Sequence, residues 1–511
     1  MLKRTFLPGG TALAAMALSL SGASSASAET LREALVKAYA TNPTLSGARA
    51  GLRATDETVP IARAAGLPSL TATGGYNHSI NGVSPADSLT SPAQQATTSA
   101  NLSLPVFSGG AVRNSVAGAK VRVEAGRAGL RGTEASVFTN VVAAYMDVIR
   151  DEAIVQLNRQ NVHVLQVNLD ASNDRFQVGD LTRTDVAQSQ ARLSLAQGQL
   201  QSAQAQLISS RENYVALVGA PPLDLQVPPA LPHLPPNPDV AVEVALQNNP
   251  NLLSAQKSRD ATRYDIAVAK AARLPTVNLV VGGTYYDYLG SLGAGTGVRV
   301  DQNGKTTTAG VALSMPLFQG GRPAAQVRQA QARRSQAIEA VTETERGVIS
   351  QARSAYAIWK SSQQVIDSSE TAVGANRLSL EGVRAENGVG NRTILDILNA
   401  EQELLNSQVT LVTARRDAYV AGFALLAAMG QAEARDLGLD GGPLYDPIVN
   451  YDRVHHKIMD FGSDPEPVPV ATSTAQTSAQ GSDVRTNLDP ALDTPVDSGA
   501  NLTSGVAKPV R

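Results

Sequence analysis

Leu104-Pro105-Val106-Phe107-Ser108-Gly109-Gly110 returns 211 residues later as Met315-Pro316-Leu317-Phe318-Gln319-Gly320-Gly321. Both times a run that alternates apolar and polar residues leads into it, and a long proline-free run leads out. Alternation at period two marks a strand with one apolar face, and a long run without proline suits a helix. The motif is therefore a junction at which a strand hands over to a helix, and the chain contains it twice.

Further landmarks keep the same order. Asn42-Pro43 and Leu67-Pro68 recur as Asn249-Pro250 and Leu274-Pro275 at an offset of 207. Tyr145 and Tyr356, Gly179 and Gly390, Asp185 and Asp396, and Gly219 and Gly430 all keep the offset of 211. The second copy is thus four residues longer between its Leu-Pro and Pro-x-Phe landmarks, where a surface loop can take up an insertion. Units of roughly 190 residues are far longer than solenoid repeats. The chain reads as a duplicated unit, repeat 1 over 29–220 and repeat 2 over 239–430. The linker 221–238 carries eight prolines and is expected to be extended and stiff.

The 511 residues carry 43 basic and 45 acidic side chains and no cysteine. Near-neutral charge argues against a nucleic-acid partner, which needs a basic face to displace counterions. The missing thiols exclude disulfides, thiolate catalysis, Cys-ligated metals and a lipid-anchored N-terminal Cys. Residues 1–28 have the pattern of an export signal: Lys3 and Arg4, an apolar run from Thr11 to Leu20, and the cleavage site Ala26-Ser27-Ala28. Glu29 is then the expected mature start. Beyond it no run reaches the ~20 apolar residues of a membrane-spanning helix, so any crossing must use strands in a closed barrel.

Each unit opens with a short helix stopped at Asn-Pro, then a second helix up to Leu-Pro. A hairpin follows, about 68–107 in the first copy and 275–318 in the second. Leu70, Ala72, Gly74 and Tyr76 alternate with polar residues on the way out and Ala100, Leu102, Leu104 and Val106 on the way back; the second copy has Val277, Leu279, Val281 and Tyr285 going out and Ala309, Val311, Leu313 and Met315 returning. The tips, Asn81–Pro85 and Gly290–Gly297, read as exposed loops. Helices over 111–219 and 323–429 come next, each region folding back at a Val-Gly pair. Leu193, Leu200, Leu207 and Tyr214 are seven apart, as are Leu404, Leu411, Ala418 and Leu425, which is coiled-coil spacing. Residues 431–461 are expected along the waist of the molecule. The Pro-, Ser-, Thr- and Asp-rich tail, 462–511, is expected to be disordered.

Four strands with an apolar face cannot stand in a bilayer as an open sheet, because their edges leave backbone groups unpaired. Several chains must therefore close one barrel; the number of chains does not follow from these residues.

The Asn-Pro helices, Leu-Pro strand entries, Pro-x-Phe-x-Gly-Gly exits and Val-Gly turns together resemble the TolC family of outer-membrane efflux and secretion channels, over about Thr30 to Gln431. The resemblance implies an α+β membrane protein. A long coiled-coil α-helical barrel would reach into the periplasm, continuous with an outer-membrane β-barrel of four strands per chain closed by trimerisation. It implies a homotrimeric exit duct set in outer-membrane lipid. The expected partners are a periplasmic adaptor (membrane fusion) protein and an inner-membrane ABC or proton-driven transporter. No cofactor, catalysis or nucleic acid is involved. The gate would lie at the helix turns. Gly390, Arg392, Thr393 and Asp396 match the family's Gly-x-Arg-Thr-x-x-Asp segment, and Arg392 would bond across to Asp185 of the first turn. Asp396 would line the bore, giving a ring of carboxylates once chains assemble. This sequence departs from the family at Asn399, where a second Asp is frequent, and at Asn387, where the latch commonly has Tyr. Val178, Gly179, Val389 and Gly390 would be the adaptor-docking residues.

A trimeric coiled-coil surface adhesin or stalk shares the heptads and export signal but needs no apolar-faced hairpins. A periplasmic adaptor would carry one helical hairpin rather than a tandem pair. The histidines 78, 163, 233, 455 and 456 lack metal-ligand spacing, and no phosphate-binding or nucleophile motif is present.

Overall fold

A computed structural model of the chain describes residues 28–80, 82, 84–439, 444–484 and 489–493. The export signal lies outside the described residues, save its last position. Thr30 opens α1 (Leu31–Thr41), its hydroxyl and the Glu33 carboxylate closing a capping box. The Asn-Pro landmarks then do more than stop a helix. The Asn42 side-chain oxygen accepts from Thr44 and Leu45 N–H at 3.0 and 3.3 Å, starting α2 (Pro43–Asp56). Its amide also donates to the Leu217 carbonyl at 2.9 Å. A second helix up to Leu-Pro was expected, but in the first copy it is split: α3 (Thr58–Ala64) starts afresh around Pro60, which cannot donate to a continuing helix.

β1 (Ser69–His78), β2 (Gln94–Phe107), β3 (Thr276–Asp287) and β4 (Asn303–Ser314) form one antiparallel meander in the order β1-β2-β3-β4. The register puts like with like. Leu70 faces Leu102, which faces Val281, which faces Ala309; Leu104, Leu279 and Val311 form the next row. On the other surface Thr73, Ser99, Thr284 and Thr306 form one row, with Thr73 and Ser99 hydroxyls 2.7 Å apart. Successive residues alternate faces, so one surface is apolar and the other hydroxylic. Tyr76 and Tyr285 lie on the apolar face near the loops, and Phe107 at its opposite end. At Pro105 the ladder bulges, as a residue without N–H permits. The loops 79–93 and 288–302 are equally long. Counted between the proline landmarks, the four extra residues of the second copy flank the loop, two on the way out (276–287 against 69–78) and two on the way back (303–316 against 94–105), rather than lying in the loop where an insertion was expected.

α4 (Ala111–Gln177) leaves the sheet, and α5 (Arg183–Val218) folds back along its far half. In the second copy α6 (Pro238–Asn248) and α7 (Pro250–Ala271) lead to the strands, α8 (Arg322–Gly388) leaves them and α9 (Ile394–Ala428) returns. α4 and α8 have 67 residues each, about 100 Å. α5 and α9 are about half as long, and α2 and α7 accompany the near halves. Asn249 joins these pieces as Asn42 does, capping α7 while donating to the Ala428 carbonyl at 2.9 Å. Of the heptad residues, Leu193, Leu207, Tyr214, Leu404, Leu411, Ala418 and Leu425 are buried.

The main apolar core sits where α1, α4, α5 and the end of α9 meet, around Phe138, Tyr145, Leu207, Tyr214 and Phe423. Glu29 is threaded through it. Its carboxylate meets Lys37 at 2.7 Å and the Tyr214 hydroxyl at 3.0 Å, and its carbonyl lies 2.8 Å from the Tyr145 hydroxyl. The segment after α9 packs back on α1, α2 and α4: Ala434 N–H donates to Glu134 at 2.6 Å and Tyr445 N–H to the Tyr39 hydroxyl at 2.9 Å. It ends in α10 (Val449–Val454).

The tail departs from expectation. Its described residues, expected disordered, run as extended coil along the helices. Arg211 donates to the Gly481 carbonyl at 2.6 Å, Arg415 to Asp489 at 2.9 Å and Gln408 to the Leu492 carbonyl at 2.8 Å, while Leu492 is buried in the coiled-coil core. Composition counts apolar residues; it does not count arginines elsewhere that can hold a polar backbone.

Candidate functional site

The two helix turns at the far end are built alike. α4 ends on Val178, after which Gly179 takes φ +89° and donates to the Phe176 carbonyl, while Asp180 N–H reaches the Arg175 carbonyl at 2.9 Å. Gly390, at φ +81°, and Asn391, bonded to the Glu386 carbonyl at 2.9 Å, repeat the pattern after α8. This is the left-handed glycine termination, which a side chain adopts only under strain. Helix restart is equally regular. Thr182 N–H and hydroxyl both donate to Asp185 Oδ2, at 2.9 and 2.7 Å, and Asp185 N–H returns to the threonine oxygen. Thr393 and Asp396 do the same at 2.9 and 2.8 Å. These hydrogen bonds hold both carboxyls below the ordinary aspartate range, chiefly through the Thr182 hydroxyl for Asp185 and the Thr393 N–H for Asp396. Each carboxylate keeps its Oδ1 free of hydrogen bonds among the described residues.

Between the copies the contact differs from the expected one. Arg392 does not meet Asp185 within the chain; its Nε donates to Glu386 Oε2 at 2.7 Å, one turn back on α8. The tie between the copies runs through Asn387, the position at which the family's tyrosine was missed. Its amide donates to the Arg392 carbonyl at 2.7 Å, and its oxygen faces Arg175 Nη1 of α4 at 3.5 Å. Asn387 is buried by these contacts. Asn399 likewise accepts from Arg192 of α5 at 2.8 Å. Val178 and Val389 stand out at the tip, 73% and 74% exposed.

Further up lies a polar cluster that sequence reasoning missed. Asn168 of α4 donates to both Glu401 oxygens at 3.0 Å, and Arg384 of α8 to one of them at 3.2 Å. Burial foremost pushes the Glu401 carboxyl up, against the pull of Asn168 and Arg384. The signal was present: Ile394, Ile397, Leu398, Leu404 and Leu405 form an apolar stripe, and Glu401 falls on it.

The outer membrane efflux protein family model matches residues 34–220 and 241–431, the two repeats in turn. The chain is 36% identical to Outer membrane efflux protein BepC of Brucella suis biovar 1 (strain 1330), covering 87% of this chain and 95% of that one. It is 28% identical to Outer membrane protein TolC of Escherichia coli (strain K12), covering 90% and 95%. Among solved structures, the Campylobacter jejuni CmeC outer membrane channel superposes with a TM-score of 0.70 at 17% identity, covering 83% of this chain and 89% of that one. With its duplicated strand-and-helix unit and paired turns, the chain belongs to the outer membrane efflux protein family: it is a TolC-type outer-membrane channel protein, not an enzyme.

Proposed function

We propose that the chain forms the exit duct of a tripartite efflux or type I secretion machine, passive in itself and opened at its periplasmic tip. The observation that carries this reading is the open meander. β1 and β4 are its free edges and run in opposite directions, so β4 of one copy can pair antiparallel with β1 of the next. Channels of this family are trimers that work with an adaptor and an inner-membrane transporter. Three copies here would give twelve strands, apolar outside and hydroxyl-lined within. The efflux reading is favoured by the name of BepC, an outer membrane efflux protein. On this reading an adaptor docks on Val178, Gly179, Val389 and Gly390, and an ABC or proton-driven transporter supplies the energy.

The gate is proposed at the same tip. Arg175–Asn387 ties the two copies within a chain. The free Oδ1 atoms of Asp185 are available to Arg392 of a neighbouring copy, and those of Asp396 to the bore, as a carboxylate ring favouring cations. The neutral Asn399 adds no second ring. Purified protein in planar bilayers tests this. Asn387→Ala and Asp185→Ala are expected to raise single-channel conductance, and Asp396→Asn to lower cation selectivity. Unchanged conductance in both alanine variants would remove the gate from the tip, and a monomeric protein without conductance would remove the duct.

A further inference from the structure

A cationic pocket lies at the opposite end of the helices, just beneath the sheet. Arg63 sits at the end of α3 shortly before β1, and Arg113 at the start of α4 shortly after β2. Each is six residues from a strand end, Arg63 from Ser69 and Arg113 from Phe107. Lys120 follows Arg113 two turns along α4 and therefore shares its face. His455 and His456, just after α10, close the far side. Together with Val59, Val116 and Ala117 these five residues line a cavity of about 460 Å³.

Three features distinguish this pocket from an ordinary basic surface. First, Arg63, Arg113 and Lys120 make no ion pair among the described residues. The nearby tail carboxylate Asp464 is instead taken by Arg453 at 2.6 Å and Lys457 at 3.6 Å. Second, the histidines are fixed. His455 stacks on Tyr451 with ring centres 4.8 Å apart, and Arg63 Nη1 lies 2.7 Å from His456 Nδ1 and 3.3 Å from the His455 carbonyl. Third, the cations act on one another within the pocket: His456 is held below the ordinary histidine range, by His455 foremost, with desolvation and the charges of Arg63 and Lys120 adding. The pocket's depth sets its ligand. The apolar band of the sheet ends at Phe107, so with that band in the bilayer the pocket opens on the side of the periplasmic headgroups, Arg113 nearest to them and Lys120 about 10 Å further along α4.

We infer that this pocket binds the phosphate of an anionic glycerophospholipid from the periplasmic leaflet of the outer membrane, through Arg63, Arg113 and Lys120. The lipid anchors the barrel at the depth where strand gives way to helix. Basic pockets at this level take phosphate headgroups by charge and hydrogen bonding together, and their affinity scales with the number of cations.

The test uses the double variant R113Q/K120Q. Neither side chain bonds elsewhere in the described chain, so the fold and the assembled protein are expected unchanged by circular dichroism and heat-resistant migration. Lipid binding is read by native mass spectrometry of the assembled protein titrated with phosphatidylglycerol, with phosphatidylcholine and inorganic phosphate as separate arms. The expected result is preferential retention of phosphatidylglycerol by the native chain and about 30-fold weaker binding by the variant. Equal binding by both proteins, or equal retention of phosphatidylcholine, overturns the proposal. So does saturation by millimolar inorganic phosphate with no phosphatidylglycerol retained, which would make it a site for soluble phosphate. If the variant proves unstable, R113K/K120R keeps the charges and is expected to bind as the native chain does; loss of binding in that folded variant also overturns it.

Discussion

Glu401 shows how much one side chain can carry in a coiled coil. It is a carboxylate on an apolar stripe, held by Asn168 and Arg384, and burial lifts its pKa above the ordinary 4.5. A raised folded-state value means the folded chain prefers the protonated form. The associated stability is present below about pH 4.5 and declines as pH rises through the folded value. Glu401→Gln is expected to remove this decline, flattening melting temperature against pH upward from that point; an unaltered profile would place the pH response elsewhere. Asp185 and Asp396 act in the opposite sense. Their lowered values give stability that is present above the ordinary 3.8 and lost as pH falls through the folded value. Both residues were legible in the sequence, because Thr-x-x-Asp beside Gly is a local signature. Asn387 was singled out only through the resemblance, and its partner was not legible at all: the contact with Arg175 joins residues more than two hundred apart, and no local pattern announces that.

At the scale of elements, the Asn-Pro landmarks are the least obvious device. A proline explains why a helix stops. It does not explain why Asn42 and Asn249 each cap the next helix and hold the last turn of the returning one. Asn249→Ala removes an N-cap acceptor and leaves the Ala428 carbonyl unpaired and buried, for an expected loss of about 2–3 kcal/mol. Urea denaturation measures it, and a loss below about 0.5 kcal/mol would reduce Asn249 to an ordinary cap. The sheet makes a second prediction. Val311 of β4 is on the apolar face and Thr306, on the same strand, is on the hydroxylic one. Val311→Arg is expected to cost about 2–4 kcal/mol in bilayers and to reduce insertion, whereas Thr306→Arg inserts normally. Equal insertion of the two would mean that the faces are assigned the wrong way round or that both are wet.

The whole molecule is a stack of end-to-end helices with a polypeptide strap. The tail lies across α4, α5, α8 and α9 through Arg211, Arg377, Arg415 and the buried Leu492. Leu492→Asp places a carboxylate in the core that Leu157, Leu404 and Leu411 share with it. It is expected to release the strap, seen as faster proteolysis beyond residue 484, and to cost about 2–4 kcal/mol. Unchanged proteolysis would mean that the arginine contacts alone hold the tail.

The sequence by itself determined the duplication, the strand-to-helix junctions, the two faces of the hairpins and the location of the turns. All of these rest on short-range periodicity, on proline and on glycine, whose constraints act within a few residues. Only the tertiary structure decided where the four extra residues go, which partner Arg392 takes, how Asn42 and Asn249 splice separate helices, and that the described tail is bound. Each of those depends on groups far apart in the chain meeting at hydrogen-bond distance, and the reach of a single side chain is not written in its neighbours. The junction Pro105-Val106-Phe107 embodies both halves. Its proline marked the junction, and only the pairing of Pro105 with Asn278 and of Phe107 with Val277 revealed the bulge between them.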